Sequence, residues 1–162
     1  MSPIVRSSFT HEERLRRTFD RVAMVLFETW EEGWGHTRLL DEPLVPNWLV
    51  EVGQSCKGAE YREHVVPLRL VYNECETMFA SGKPLSTVAR FLEHHVKIVR
   101  VSREEQRRID YELGLKTRMP PGWVFNEGDI YARLRAAGVE WEWNAITQAA
   151  ALAEGSASSN TP

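Results

Sequence analysis

The stretch Tyr61-Arg62-Glu63-His64-Val65-Val66-Pro67 decides the reading of the fold, because the chain changes structural period at its last residue. Residues 61–66 read as a short strand that Pro67 ends. The same proline suits the first position of a helix, where its missing N–H is not needed. Leu68, Val71, Cys75, Met78 and Phe79 then recur at helical spacing, and Gly82 closes the helix. A chain that places a strand directly against a helix in this way is α+β rather than all-helical.

Working outward, Pro84-Leu85-Ser86 opens a third helix to about residue 95, with Val88, Phe91 and Leu92 turned inward. Lys97-Ile98-Val99-Arg100-Val101 alternates basic and apolar residues, the pattern of a half-exposed strand. Ser102-Arg103-Glu104-Glu105 has the capping-box form and predicts a fourth helix ending near Leu113, before Gly114. Met119-Pro120-Pro121-Gly122-Trp123 reads as a turn, residues 130–137 as a short helix stopped by Gly138, and 139–143 as a last strand. Towards the N-terminus, Thr10-His11-Glu12-Glu13 is another capping box. Leu15, Phe19, Val22, Leu26 and Trp30 follow it as the stripe of a first helix that Gly33 stops. Residues 33–60 are broken by Pro43, Pro46, Gly53 and Gly58, with 47–52 as a short strand. The expectation is one mostly helical α+β domain with a small antiparallel sheet over residues 1–153. A disordered tail over 154–162 is expected to follow, because its Gly, Ser, Asn, Thr and Pro cannot bury a core.

At 162 residues and 43% hydrophobic composition the chain lies in the ordinary globular range. A domain of that size buries roughly two-thirds of its unfolded surface without a metal or disulfide staple. Two cysteines, Cys56 and Cys75, exclude a disulfide framework and a four-cysteine zinc site. No apolar run is long enough for a membrane span, and the first residues lack a signal peptide's hydrophobic core, so a soluble cytoplasmic protein is expected. The net charge is −3, yet residues 83–118 carry nine basic and five acidic residues. Arg100, Arg103, Arg107 and Arg108 sit in that stretch and are the candidate contacts to nucleic-acid phosphate. Their plainer reading is a solvated helix face of mixed charge.

Chemistry concentrates at Glu63-His64. A neutral imidazole takes a proton from water near physiological pH, and a carboxylate holds a hard divalent ion that neutralises phosphate charge. In a regular strand the two side chains point to opposite faces, so joint action at one ion needs a bulge.

Glu63-His64-Val65-Val66-Pro67 resembles the first half of the His-Me finger (HNH-like) endonuclease motif. The strand and helix at 97–113, with Val101-Ser102-Arg103-Glu104-Glu105, are similar to its second half. The resemblance covers about fifty residues and implies a phosphodiester hydrolase with Mg²⁺ or Mn²⁺. It makes His64 the catalytic base and Glu63, Glu104 and Glu105 the metal ligands, and it expects His64 and the Ser102 cap to share a cleft. The helix carries Glu104, Glu105 and Gln106 where the family usually has a histidine or asparagine, and the bracing zinc cysteines of many members are absent. The expectation is therefore an endonuclease, or a nuclease-like protein that binds DNA or RNA. The alternative is a non-enzymatic accessory protein of phage or mobile-element type that acts through a protein partner. In that case His64 is a buried structural residue and the loop tryptophans Trp34, Trp48 and Trp123 form the contact surface. His94-His95 reads as one histidine that caps the third helix and one that is solvated, at a helix C-terminus that favours cations. Gly-rich phosphate loops, nucleophile elbows and His-Glu-x-x-His zinc motifs are absent.

Overall fold

A computed structural model describes residues 7–157. The first helix, α1, spans His11–Glu31, and both halves of the Thr10 capping box form. The Glu13 N–H donates to the Thr10 hydroxyl at 3.1 Å and the Thr10 N–H to the Glu13 carboxylate at 2.7 Å. Phe19, Val22, Ala23 and Leu26 are buried along one side of α1, as its spacing predicts. After a 3₁₀ turn over Thr37–Leu40, residues 47–50 form α2 (Asn47–Val50), a single helical turn. Strand β1 (Glu51–Ser55) begins only there, which corrects the strand expected over 47–52. The reason is visible in the burial pattern: Leu49 and Val50 are consecutive and both inside, so the segment does not alternate.

Strand β2 (Tyr61–His64) stops two residues short of the expected 61–66, because Val65 and Val66 are consecutive and both buried and so do not alternate. Helices α3 (Leu68–Ala80) and α4 (Leu85–His95) and strand β3 (Ile98–Val101) follow. The fourth sequence-predicted helix is α5 (Arg103–Arg107), which widens into a π-helical turn over Arg108–Glu112. Helix α6 (Ala132–Ala136), strand β4 (Trp141–Trp143) and α7 (Ala145–Ala157) complete the order. Residues 154–157, expected in the tail, instead continue α7; residues 158–162 lie outside the described residues. Asn144 caps that helix, its carboxamide oxygen accepting from the Thr147 N–H at 2.9 Å. The alanine-rich run behind it has high intrinsic helix propensity and needs no core to adopt it.

The four strands form one sheet in the order β2-β3-β1-β4. It is mixed rather than antiparallel: β3 runs antiparallel to β2 but parallel to β1, and β4 returns antiparallel to β1. The parallel pair arises because α3 and α4 carry the chain across between β2 and β3. At Gly53 the strands β1 and β4 approach so closely that a side-chain carbon would stand 2.6 Å from the Glu142 carbonyl oxygen. A continuous apolar cluster runs from Phe19 and Leu26 of α1 through Val88 and Leu92 of α4 to Ile98 and Val99 of β3 and Leu134 of α6. Helix α1 packs on α4 within it. No helix among the described residues is long and apolar enough to cross a membrane.

Candidate functional site

The β2–β3 pairing is regular, Tyr61 opposite Val101, Arg62 opposite Arg100, Glu63 opposite Val99 and His64 opposite Ile98. The register shift in the sheet lies elsewhere, between Glu51 and Gly53 of β1. No bulge therefore turns Glu63 and His64 to the same side, and the sheet separates them.

On one face, Glu63 pairs with Arg133 of α6. Arg133 is 2% exposed, and its other terminal nitrogen donates to the His64 carbonyl at 3.2 Å. Burial, chiefly, raises the Glu63 carboxyl above its ordinary range, with Asp110 adding to it, while the guanidinium of Arg133 pulls the other way. Tyr131, Trp141 and Trp143 pack together, their ring centres 5.1–5.5 Å apart. At the end of the sheet Glu105 is 1% exposed. One of its oxygens accepts from the Ser55 hydroxyl at 2.9 Å and the other from the Ser102 N–H at 2.9 Å. The carboxylate thus joins β1 to the cap of α5.

On the opposite face, His64 is held neutral at physiological pH because burial lowers its basicity. Its Nδ1 is buried with no hydrogen-bond partner. Ser102 follows β3 at the end away from Ile98, so His64 and the cap sit at opposite ends of that strand rather than in one cleft. Glu104 is exposed and pairs with Arg108 at 3.3 Å. Glu63, Glu104 and Glu105 are therefore each engaged away from His64 and do not fit one ion beside it. Among the described residues no group of three His, Cys, Asp or Glu side chains could hold a metal.

The basic residues divide as well. Arg108 is structural, for besides Glu104 it donates to the Ala137 carbonyl at 2.9 Å. Arg100 stands directly opposite Arg62, two like charges on neighbouring strands, and two positions along β2 from Arg62 is His64. Neither Arg62 nor Arg100 is in an ion pair among the described residues, and Arg100 keeps a buried Nε without a partner. Beyond the same end of the sheet, Arg103 and Arg107 line a groove with Lys57, Glu60, Ser102 and Glu104. Sequence reasoning found Arg100, Arg103 and Arg107 but missed Arg62 and Lys57. Alternation along β2 from His64 was the available signal for Arg62.

Among the remaining candidates, His94 is exposed and His95 buried. The His95 Nδ1 meets the Phe91 carbonyl at 2.8 Å and burial lowers its pKa to about 4, so it is a neutral interior ring and not a helix-end cation. Cys75 is buried, as expected of a small hydrophobe, whereas Cys56 is exposed. Trp123 packs on Phe125 and donates to the Asp129 carbonyl at 2.8 Å, while Trp34 and Trp48 are 57% and 59% exposed.

No family model matches the chain, and no curated protein or solved structure shows a significant match to it.

Proposed function

We propose that this protein is a nuclease-like nucleic-acid-binding protein that grips the phosphate backbone at the end of the sheet where β3 stops and β2 starts. The observation that carries this reading is the Arg62–Arg100 pair. Like charges directly opposite each other on neighbouring strands are unfavourable, and among the described residues neither arginine is in an ion pair. An anion laid across both relieves the repulsion, and Arg is suited to it because its planar fork matches phosphate oxygens. Past the strand ends Lys57, Arg103 and Arg107 outnumber Glu60 and Glu104 in the adjoining groove. Each phosphate so neutralised releases counterions, which makes binding steeply salt-dependent.

Binding is better supported than hydrolysis. A neutral His64 has the protonation state a base requires, and it shares its sheet face with the two arginines. The carboxylates that would accompany it lie on the other face or are engaged in ion pairs and caps. No step through a metal ion is derived from them.

A mobility-shift titration with single-stranded and duplex DNA and RNA tests the reading, run beside a plasmid-nicking assay with Mg²⁺ or Mn²⁺. Salt-sensitive shifts without nicking are the expected result. Nicking that disappears in His64→Ala would establish an endonuclease instead. Absence of any shift at low salt would remove the reading in favour of an accessory protein acting through a protein partner.

A further inference from the structure

A second basic surface lies on α1, beside the single turn of α2. Arg14, Arg17 and Arg21 fall within about 60° of one another around the helix and span about 10 Å of its length. They line a groove of about 310 Å³ together with Phe9, Thr18, Pro46, Trp48 and Leu49. Among the described residues no carboxylate lines it. The nearby acids of α1 are engaged elsewhere: Glu12 with Arg16, Glu13 with the Thr10 N–H and Asp20 with Arg90. Arg14, Arg17 and Arg21 take part in no ion pair among the described residues.

All three guanidinium groups are nevertheless oriented. Arg14 donates through Nε to the Phe9 carbonyl at 3.0 Å, which leaves its terminal nitrogens free. Arg21 donates through one terminal nitrogen to the Thr18 hydroxyl at 3.3 Å. The Arg17 guanidinium lies over the Phe9 ring, its central carbon 4.3 Å from the ring centre. Across the groove, Leu49 is buried and turns Trp48 outward on the same helical turn. The result is three arginines without an ion pair among the described residues, lining one groove with an exposed indole.

We propose that this groove binds single-stranded nucleic acid, with a base stacked on Trp48 and the flanking phosphates held by Arg14, Arg17 and Arg21. Stacking suits an unpaired base, because a base inside a duplex has both faces covered. A peptide of Asp and Glu alone would satisfy the arginines but has no planar ring for the indole, whereas every nucleotide supplies a ring beside each phosphate. The inference shares its ligand class with the sheet-end reading and rests on different residues.

The test is fluorescence anisotropy of a labelled oligothymidylate with the full chain at several salt concentrations, each variant matched to wild type by circular dichroism. Trp48→Ala is expected to weaken binding about tenfold and Trp48→Phe by less than about threefold, since a phenyl ring still stacks. Arg17→Ala/Arg21→Ala is expected to flatten the salt slope by about 1.4, roughly 0.7 for each lost phosphate contact on a single strand. A duplex of equal length is expected to respond to neither. Wild-type affinity in both Trp48→Ala and Arg17→Ala/Arg21→Ala, with weakening in Arg62→Ala/Arg100→Ala, would overturn the groove and leave the sheet end standing. The converse pattern would overturn the sheet end alone, and wild-type protein that binds no oligonucleotide would overturn both. Displacement of the oligonucleotide by polyglutamate at equal charge concentration would reassign the groove to acidic peptides.

Discussion

The carboxylates beneath the sheet and the arginines on its exposed surfaces put similar chemistry to opposite uses. Glu63 is half-buried and Glu105 buried, and each carboxylate has a partner: Arg133, whose Nε alone is left without one, for the first, and Ser55 and the Ser102 N–H for the second. Arg62 and Arg100 on the sheet, and Arg14, Arg17 and Arg21 on α1, have no carboxylate partner among the described residues. A buried ionic group must be satisfied within the fold, because an unpaired charge inside costs several kcal/mol. A cation that reaches solvent, as Arg62 does and the half-buried Arg100 does in part, is under less demand, so a cluster of them without carboxylates leaves its charge available to a ligand. The two regions therefore predict separable phenotypes, with the interior setting stability and the surface setting affinity.

The largest expected effect is at Arg133. Arg133→Ala leaves Glu63 buried without its partner and is expected to lose about 3–5 kcal/mol in urea unfolding. Replacing both partners, as in Glu63→Leu/Arg133→Met, should recover most of that loss, since apolar side chains of similar volume fill the site without a desolvation cost. A double variant no more stable than Arg133→Ala would show that the pair does more than satisfy charge.

Stability should also fall in acid. His95 titrates near 4 in the folded protein against an ordinary 6.5, so between these values the unfolded chain binds more protons than the native one. Its contribution is complete above pH 6.5 and is lost as pH falls towards 4, by about 3 kcal/mol at most. His64, His94 and His11 are lowered too and bend the curve in the same direction. Thermal melts of His95→Phe between pH 4 and 7 should be flatter than wild type. An unchanged slope would mean that the ring is solvated in solution.

Glu105→Ala is expected to cost about 2 kcal/mol, because it strands the Ser55 hydroxyl and the Ser102 N–H inside the protein. If Glu105 bound a catalytic metal instead, its removal would abolish cleavage with little change in the melting midpoint. Gly53→Ala should destabilise by about 1–3 kcal/mol by forcing β4 away from β1.

Much of this fold is legible in the residues themselves. The Thr10 and Ser102 capping boxes, Pro67 at the start of α3 and Gly82 past its end mark helix ends where the structure has them, whereas β2 stops at His64, before Pro67. These are local signals, and local backbone chemistry determines them. The parallel pairing of β1 with β3 is not legible, because it depends on where a two-helix crossover lands. The site was half legible for the same reason. Alternation along β2 already placed Glu63 and His64 on opposite faces, and the structure adds that no bulge reconciles them. That Arg133, 70 residues away in the chain, would hold Glu63 had no signal in the sequence at all.

The comparison between a satisfied interior and an unsatisfied surface is tested most directly by the salt dependence of nucleic-acid binding in two variants. Arg62→Ala/Arg100→Ala should bind duplex DNA at least about tenfold more weakly, with a log–log salt slope flatter by about two, and should melt within a few degrees of wild type. Glu63→Leu/Arg133→Met, measured at a temperature where it is folded, should keep the wild-type affinity and slope. Wild-type binding by the first variant, or lost binding by a folded second one, would contradict the assignment.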